Sequence, residues 1–175
     1  MQDESVWITK AREGNEKAFR RLYGEHVSPL YRFLKQFSTT EEEVEEWVQR
    51  AFIKAFDRLE TFDGRSRFST WLFALAINEM KMDRRRAQVI PFVPLDDEPD
   101  SGAEVSDAFE WNHVMKEWMG GLDETKRSVF VLYEVEGYSH AEIGLMLGIA
   151  ESSSRALLSR AKKYLQERWS QESRT

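Results

Sequence analysis

Closely spaced prolines divide this chain into two parts. Pro91, Pro94 and Pro99, followed by Gly102, exclude a regular helix or a central strand from the segment that holds them. On both sides of this segment the apolar residues recur at helical spacing, and no strand-like alternation persists. We therefore predict an all-α protein of two small helical domains, residues 1–87 and 108–175, joined by a flexible acidic, proline-rich linker over residues 88–107.

The distribution of charge sets this linker apart from both domains. The chain has a net charge of −6, yet residues 1–86 carry 16 Lys and Arg against 15 Asp and Glu, and residues 108–175 carry 9 against 10. Residues 87–107 carry six acidic side chains and no basic one. The overall acidity therefore does not argue against contacts between the flanking domains and nucleic acid.

Composition and motifs also limit the kinds of site to expect. The chain has no cysteine, which excludes disulfides, thiol sensors and cysteine-ligated metals within it. It shows no nucleophile–base constellation, phosphate loop or metal-ligand spacing, and the acidic cluster at 41–46 includes no histidine, so we expect no enzyme, cofactor or metal. Residues 1–15 lack a signal-peptide core and no apolar run approaches bilayer length, which predicts a cytoplasmic protein without membrane insertion.

The second domain contains a predicted helix-turn-helix at residues 136–169. A short helix ends at Gly148 and a longer basic helix follows, a geometry that lets the second helix enter the DNA major groove. Ala141 is expected where the two helices touch closely, and Ile143, Leu147 and Ile149 are spaced to fill the gap between them.

The longer helix has two distinct faces at about 100° per residue. Its apolar side holds Leu157, Leu158, Ala161, Tyr164, Leu165 and Trp169. Its polar side holds Ser152, Arg155, Ser159, Lys162, Lys163 and Gln166. Cations and short hydroxyls suit phosphates and base edges, although such a face also occurs on ordinary solvated helices.

The first domain begins with two predicted amphipathic helices. Asn15 should cap the first, which runs to about Phe37 and is kinked or divided at Pro29. Its inward side holds Phe19, Leu22, Tyr23, Leu30, Phe33 and Leu34. Thr40 and Glu43 form a capping-box signature for the second, which runs to about Leu59. Its apolar side holds Val44, Trp47, Val48, Ala51, Phe52, Ala55 and Leu59.

One apolar residue interrupts the polar side of this second helix. Ile53 lies among Glu42, Glu46, Gln49, Arg50 and Asp57. An isolated exposed isoleucine is usually without consequence, but one ringed by charges is also typical of a partner anchor. A loop with an Asp63-Gly64 turn follows, and then a helix over residues 68–86.

The residues of both domains resemble the extracytoplasmic-function sigma factors of bacterial RNA polymerase. In the first domain the resemblance rests on Trp47-Val48-Gln49, Ala51-Phe52, Phe62-Asp63-Gly64, Phe68-Ser69-Thr70-Trp71-Leu72, Ala76, Asn78 and Asp83 to Arg86. In the second it rests on Leu122, Arg127, Phe130, Glu134, Gly137-Tyr138-Ser139, Ala141-Glu142-Ile143, Leu147-Gly148 and Ser159-Arg160-Ala161. The pieces occur in the family's order, with a linker where the family has one.

This resemblance implies three surfaces. Core polymerase would be bound by Glu46, Gln49, Arg50 and Ile53. The minus-ten element, with a flipped base and the melted strand, would be bound by Phe62, Asp63, Arg65, Ser66, Arg67, Trp71, Asn78, Arg84, Arg85 and Arg86. The minus-thirty-five element would be bound by Ser152, Ser153, Arg155, Ser159 and Arg160, with Lys162 and Lys163 on the same basic face. The linker would pass through the polymerase channel.

Several positions depart from the family pattern. Arg50 replaces a usual acidic residue, and Ala74 and Leu157 replace common arginines. Ser152-Ser153-Ser154 replaces a typical Gly-Thr-Val, and Ser154 falls on the apolar side, where a buried methyl pair would be lost. Trp71 also suits the core, and Arg84 to Arg86 also suit a helix C-terminus.

The resemblance implies a sigma subunit that directs polymerase to promoters, with core RNA polymerase, promoter DNA and an anti-sigma factor as partners and a monomer when free. Two alternatives stay open. One is a helix-turn-helix regulator that acts without polymerase, which leaves the first domain unexplained. The other is a sigma-like interaction module that titrates an anti-sigma factor, which the arginines missing at Ala74 and Leu157 favour.

Overall fold

A computed structural model describes residues 4–89 and 113–172, and these residues form helices and turns without a strand, as predicted. The first domain contains α1 (Glu4–Arg12), α2 (Glu16–Leu34), α3 (Glu41–Asp57) and α4 (Phe68–Val89). The second contains α5 (His113–Gly120), α6 (Glu124–Phe130), α7 (His140–Leu147) and α8 (Glu151–Glu172). Most of the linker lies outside the described residues, and α4 ends two residues beyond the predicted domain boundary at 87.

The core of the first domain lies where α3 packs on α2 and α4. Every residue of the predicted apolar side of α3 is buried, and Trp47 is completely so. On α2 the prediction fails at Tyr23, which is 44% exposed, although its ring centroid lies 4.6 Å from that of Phe52. Pro29 neither breaks nor divides α2, which continues to Leu34 before a 3₁₀ turn over Lys35–Phe37.

Two of the predicted helix starts have different outcomes. Asn15 caps α2 as expected, since its side-chain oxygen accepts a hydrogen bond from the Ala18 N–H at 3.2 Å. The capping box at Thr40 is wrong, because the Thr40 side chain makes no capping bond. Ser38 instead links Thr40 to Glu43, with its hydroxyl donating to Glu43 and accepting from the Thr40 N–H at 3.0 Å.

The N-terminal helix α1 was not predicted, and it fastens the end of α3 to the loop that follows. Ile8 and Ala11 bury one side of α1 with the spacing of adjacent helical turns. Arg12, just beyond them, donates from Nε to the Leu59 carbonyl at 3.2 Å and from Nη2 to the Phe62 carbonyl. A two-residue apolar stripe in a short helix is a weak signal, which explains why periodicity missed it.

The second domain forms around α8, against which α6 and α7 pack. The chain leaves α6 through a π-helical turn, Val131–Val135, in which the Glu136 N–H bonds the Val131 carbonyl at 3.0 Å. Leu158, Ala161 and Leu165 are buried on the apolar side of α8 as predicted, whereas Trp169 is 65% exposed. Its ring meets that of Trp118 edge-on, with the two ring centroids 6.0 Å apart.

The two domains contact each other directly, which the tethered arrangement expected from the sequence did not include. Helix α4 of the first domain packs along α7 of the second. The ring centroids of Phe73 and Tyr138 lie 5.3 Å apart across this boundary. The proline-rich linker divides the chain, but apolar and charged side chains bring its two halves together.

Candidate nucleic-acid interfaces

The predicted polymerase contacts lie on the solvent side of α3. Glu46, Gln49, Arg50 and Ile53, hereafter the clamp face, follow one another at helical spacing, and the buried side of α3 fixes their direction. Ile53 is 52% exposed, which makes it an apolar side chain presented to solvent among polar neighbours. The exposure expected from the sequence is therefore present.

The unusual Arg50 of the clamp face is bound within the protein. Its Nη1 donates to both carboxylate oxygens of Asp83 on α4 at 2.8 Å, and its Nη2 donates to Glu46 at 2.6 Å. The hydrogen bond with Asp83 holds the pKa of Arg50 above its ordinary value. Trp47 Nε1 donates to the same Asp83 carboxylate at 2.9 Å. The reversed charge at position 50 thus joins α3 to α4, in addition to any role toward polymerase.

Phe62 belongs to the core and does not line an open pocket. Its side chain is only 5% exposed, and its ring lies 5.2 Å from that of Trp71 and 5.8 Å from that of Phe68. The ring is therefore packed beneath the loop, and the contact of Phe62 with a flipped base stays a prediction. Arg12 holds the backbone carbonyl of the same residue.

The rest of the predicted minus-ten loop faces solvent. Asp63, Arg65 and Arg67 are exposed, and Ser66 is half-buried. Asp63 closes the turn by accepting from the Arg65 N–H at 3.0 Å, while Gly64 takes the left-handed conformation with φ of 74°. These local bonds hold the side chains of Arg65, Ser66 and Arg67 in the loop just before the first residue of α4.

Three predicted strand-binding residues form a stripe on α4. Trp71, Asn78 and Arg85 are spaced by seven residues, so they share one side of the helix over about 21 Å. Trp71 is half-buried, as its additional core role suggested, whereas Asn78 and Arg85 are exposed. An aromatic plane, an amide and a guanidinium along one line suit a single strand with stacked bases.

The structure separates Arg84 from the two arginines that follow it. Arg85 and Arg86 are exposed, but Arg84 is half-buried and bonds the Phe37 carbonyl and the Glu124 carboxylate, the latter at 2.8 Å. The difference arises because one helical residue step turns the side chain by about 100°. In this conformation Arg84 is not presented to solvent with its neighbours.

The turn of the helix-turn-helix has the expected glycine but a different point of closest contact. Gly148 caps α7 with φ of 67°, and Ser139 and Glu142 form a complete capping box at the start of the same helix. Ala141 is exposed, so its predicted place between the helices is wrong. The close approach is instead at Gly144, where a Cβ atom would lie 2.8 Å from the carbonyl oxygen of Ile149, in the turn between the two helices.

Substitution of Gly144 by alanine should therefore destabilise the second domain. Alanine favours a helix over glycine by about 1 kcal/mol, but a clash with rigid backbone costs roughly 1–3 kcal/mol. We expect a net loss of about 1 kcal/mol or more in urea denaturation. Gly24→Ala is the matched control, since a Cβ atom there meets nothing within 4 Å and should stabilise α2. Equal effects of the two substitutions would contradict this prediction.

A buried polar pair joins the two helices of the motif. His140 and Ser154 are 7% and 0% exposed, and His140 Nδ1 lies 2.9 Å from Ser154 Oγ. Tyr133 stacks on the imidazole with ring centroids 4.4 Å apart. The serine on the apolar side of α8 is thus not simply a lost methyl contact, because its hydroxyl pairs with a histidine that would otherwise be unsatisfied.

Removal of the Ser154 hydroxyl, or protonation of His140, should lower the free energy of unfolding. Burial, with a smaller effect from Arg155, lowers the pKa of His140. As the pH falls below about 6.5, the unfolded chain therefore gains a proton that the folded one resists, and the free energy of unfolding decreases.

Ser154→Ala should cost about 1–3 kcal/mol at neutral pH. Thermal unfolding between about pH 8 and 5 tests both, and an unchanged pH profile in His140→Asn would contradict the assignment.

The predicted minus-thirty-five residues are all exposed along α8. They are Ser152, Ser153, Arg155, Ser159, Arg160, Lys162 and Lys163. Glu151 pairs with Arg155 at 2.5 Å, and Glu134 pairs with Lys162 at 2.5 Å. Because such exposed pairs are weak, phosphates can replace the carboxylates. Helix α8 therefore offers a basic face of the size that enters a major groove.

Neither a membrane span nor a strong metal site emerges from the described residues. None of their helices is both long and apolar enough to cross a bilayer. Glu4, Glu25 and His26 bring possible ligand atoms within 4.8 Å of one another. However, a Glu4 oxygen lies at hydrogen-bond distance, 2.6 Å, from His26 Nε2, and Glu25 pairs with Arg21 at 2.6 Å, so these side chains already have partners within the protein.

Comparison with known proteins agrees with the two-domain arrangement. Residues 22–89 match the family model for Sigma-70 region 2, and residues 115–165 match that for Sigma-70, region 4. The chain is 30% identical to the RNA polymerase sigma factor NccH of Alcaligenes xylosoxydans xylosoxydans, with 93% of this chain and 92% of that protein covered. It is 28% identical to the ECF RNA polymerase sigma factor SigM of Mycobacterium tuberculosis, with 87% and 77% covered.

The fold is also similar to a solved structure. The sigma factor RpoE in complex with the anti-sigma factor NepR, from Bartonella quintana, superposes with a TM-score of 0.74 at 22% identity, covering 88% of this chain and 98% of that one. Two sigma regions in the same order, and a relative at 30% identity over nearly the full length, lead to one conclusion. The chain belongs to the extracytoplasmic-function family of RNA polymerase sigma factors.

Proposed function

We propose that this chain is a dissociable sigma subunit that binds core RNA polymerase through the clamp face, melts the minus-ten element with the first domain and binds the minus-thirty-five element with α8. The observation that carries this proposal is the presence of three differently built surfaces on one chain. An apolar anchor lies on α3, an aromatic and basic stripe lies on α4, and a basic recognition helix lies in the second domain. An operator-binding regulator needs only the third.

Within the first domain, we assign base capture to Asp63, Ser66 and Arg67, and strand binding to Trp71, Asn78, Arg85 and Arg86. Phe62 supports the loop from below, with Arg12 holding its carbonyl. Arg84 joins the strand-binding set only when its bonds to the Phe37 carbonyl and the Glu124 carboxylate are replaced. In the second domain the exposed cations and hydroxyls of α8 contact DNA, with Arg155 and Ser159 at the centre of its exposed side.

The deciding experiment is promoter-dependent transcription with purified core polymerase and genomic fragments of the source cell. We expect discrete start sites only when the chain is added.

The free protein should bind duplex DNA weakly, with an affinity that falls steeply as salt rises, because phosphate contacts dominate. A tight sequence-specific complex without polymerase would instead support the operator-binding regulator, and no transcription despite binding of an anti-sigma factor would support the titrating module.

We also propose control by an anti-sigma factor, whose apolar helix competes with polymerase for the surface around Ile53. The solved complex of RpoE with NepR supports this proposal, since its sigma factor shares the fold. The test is purification of the chain from its native cell under non-inducing conditions. A bound protein inhibitor is expected, and recovery of an unmodified monomer that is fully active in transcription would contradict the proposal.

A further inference from the structure

The start of α8 is attached to the rest of the second domain through one buried side chain. Ser154, in the first turn of this helix, is 0% exposed, whereas the other residues from 150 to 156 are all exposed. The turn before the helix is held by a backbone bond from the Ile149 N–H to the Gly144 carbonyl at 3.0 Å. The next buried side chain is that of Leu158, about one helical turn further along. Between these two points, the orientation of α8 depends on what Ser154 contacts.

Ser154 contacts an imidazole that is itself held by a third element. His140, the first residue of α7, is 7% exposed, and its Nδ1 lies at hydrogen-bond distance, 2.9 Å, from Ser154 Oγ. Tyr133 belongs to the π-helical turn Val131–Val135, and its ring stacks on the imidazole with centroids 4.4 Å apart and an interplanar angle of 20°. The His140 ring therefore joins the π-helical turn, α7 and α8 at one point.

A hydrogen bond at this point restricts the rotation of α8, because its strength depends on direction as well as distance. Ser153 and Arg155 lie about 100° to either side of Ser154 around the helix. A rotation of about 10° moves an atom about 5 Å from the helix axis by about 1 Å, which is enough to lose a hydrogen bond to a base edge. Flexible cationic side chains can follow a phosphate over the same displacement. The bond should therefore affect the recognition of sequence more than the general attraction to DNA.

We propose that His140 and Ser154 are positioning residues for promoter recognition: their hydrogen bond sets the rotation at which the first turns of α8 meet the base edges of the minus-thirty-five element. This inference rests on the proposed role of α8 in binding that element. Both side chains are buried, so neither contacts DNA itself. His140 acts through Ser154, and Ser154 acts through the helix that carries Ser153 and Arg155. Since base contacts carry the sequence information, the pair determines sequence preference.

The test measures discrimination, the ratio of two affinities of the full chain with core polymerase. One is for a promoter fragment identified in the transcription experiment, and the other is for the same fragment with its minus-thirty-five element scrambled. Ser154→Ala removes the hydroxyl. His140→Phe keeps an aromatic ring for Tyr133 but cannot bond Ser154. His140→Asn is the conservative variant, because its side-chain amide keeps a hydrogen-bonding atom near the place of Nδ1 but loses the ring.

Ser128→Ala is the matched control for the loss of a buried hydroxyl. Ser128 is 1% exposed, also lies in the second domain, and donates its hydroxyl hydrogen to the Glu124 carbonyl at 2.8 Å within α6. Its replacement lowers stability without changing the bond between α7 and α8. All variants are compared at a temperature at which circular dichroism shows them folded, and binding of random-sequence duplex DNA by the free chain measures the phosphate contacts alone.

We expect Ser154→Ala and His140→Phe to reduce discrimination at least about tenfold, which is what one well-placed base contact supplies. Binding of random-sequence duplex DNA should stay unchanged, and Ser128→Ala and His140→Asn should retain most of the wild-type discrimination.

Wild-type discrimination in Ser154→Ala overturns the proposal. A His140→Phe variant that discriminates better than His140→Asn also overturns it, because ring packing would then be the determinant. The same holds for equal losses in Ser128→Ala and Ser154→Ala, since any weakening of the second domain would then suffice. If the wild type itself binds both fragments equally, the proposed role of α8 fails, which separates the two hypotheses.

Discussion

Replacement of Trp47 by alanine should destabilise the first domain by about 3–5 kcal/mol, the usual cost of removing a large aromatic side chain from a core. Trp47 is 0% exposed at the centre of α3 and also donates its Nε1 hydrogen to Asp83 on α4. The substitution therefore opens a cavity and removes one of the partners that hold Asp83. Urea denaturation followed by circular dichroism measures the loss.

Two companion variants separate the contributions at this position. Trp47→Phe keeps most of the packing and removes the hydrogen bond, so it should cost clearly less than alanine. Glu45→Ala, on the exposed side of the same helix, should stay within about 0.5 kcal/mol of the wild type. A loss for Trp47→Ala no greater than that for Glu45→Ala would contradict the packing of α3 against α4.

Ile53→Asp should weaken binding to core polymerase by about 2 kcal/mol or more, roughly thirtyfold, as expected for an interface anchor. The side chain is 52% exposed, so a partner has about half of an isoleucine still to bury. A carboxylate at its place would have to be desolvated without a cationic partner. Since the wild-type side chain makes only part of its contacts within the protein, the thermal stability should change little.

The measurement is a titration of labelled core polymerase with each variant. Val6→Asp on α1 is the matched control, because Val6 is also an exposed apolar side chain, at 38%, and lies outside the clamp face. Its affinity should equal that of the wild type. If Ile53→Asp and Val6→Asp bind equally well, Ile53 is not an anchor and the clamp face must be assigned elsewhere.

The sequence alone determined the helical fold, the division into two domains and the exposure of most site residues. These features depend on local rules, namely helical periodicity, proline placement and glycine turns, which act over a few residues. For this reason the exposed sides of α3 and α8 were predicted correctly, including Ile53 and Arg155. The family resemblance added the expected roles of these surfaces, which periodicity could not supply.

Only the tertiary structure decided which polar groups pair. Arg50 finds Asp83 across two helices, and His140 finds Ser154 across the turn of the helix-turn-helix. Gly144, rather than Ala141, lies against the turn between α7 and α8, because the path of that turn depends on how both helices pack. These side chains are ordinary in their local sequence, and their importance arises only when a distant partner is brought within hydrogen-bond distance.

The domain boundary is the clearest case. Arg67 and Glu142 are 75 residues apart, and Arg32 and Glu136 are 104 residues apart, with the linker between them. Helical periodicity shows that a charged side chain lies on the polar side of its helix, away from the core of its own domain. It does not show whether that side chain contacts water or another domain. The sequence thus determined that these residues lie on polar faces, while the packing of Phe73 and Tyr138 brought the two polar faces together.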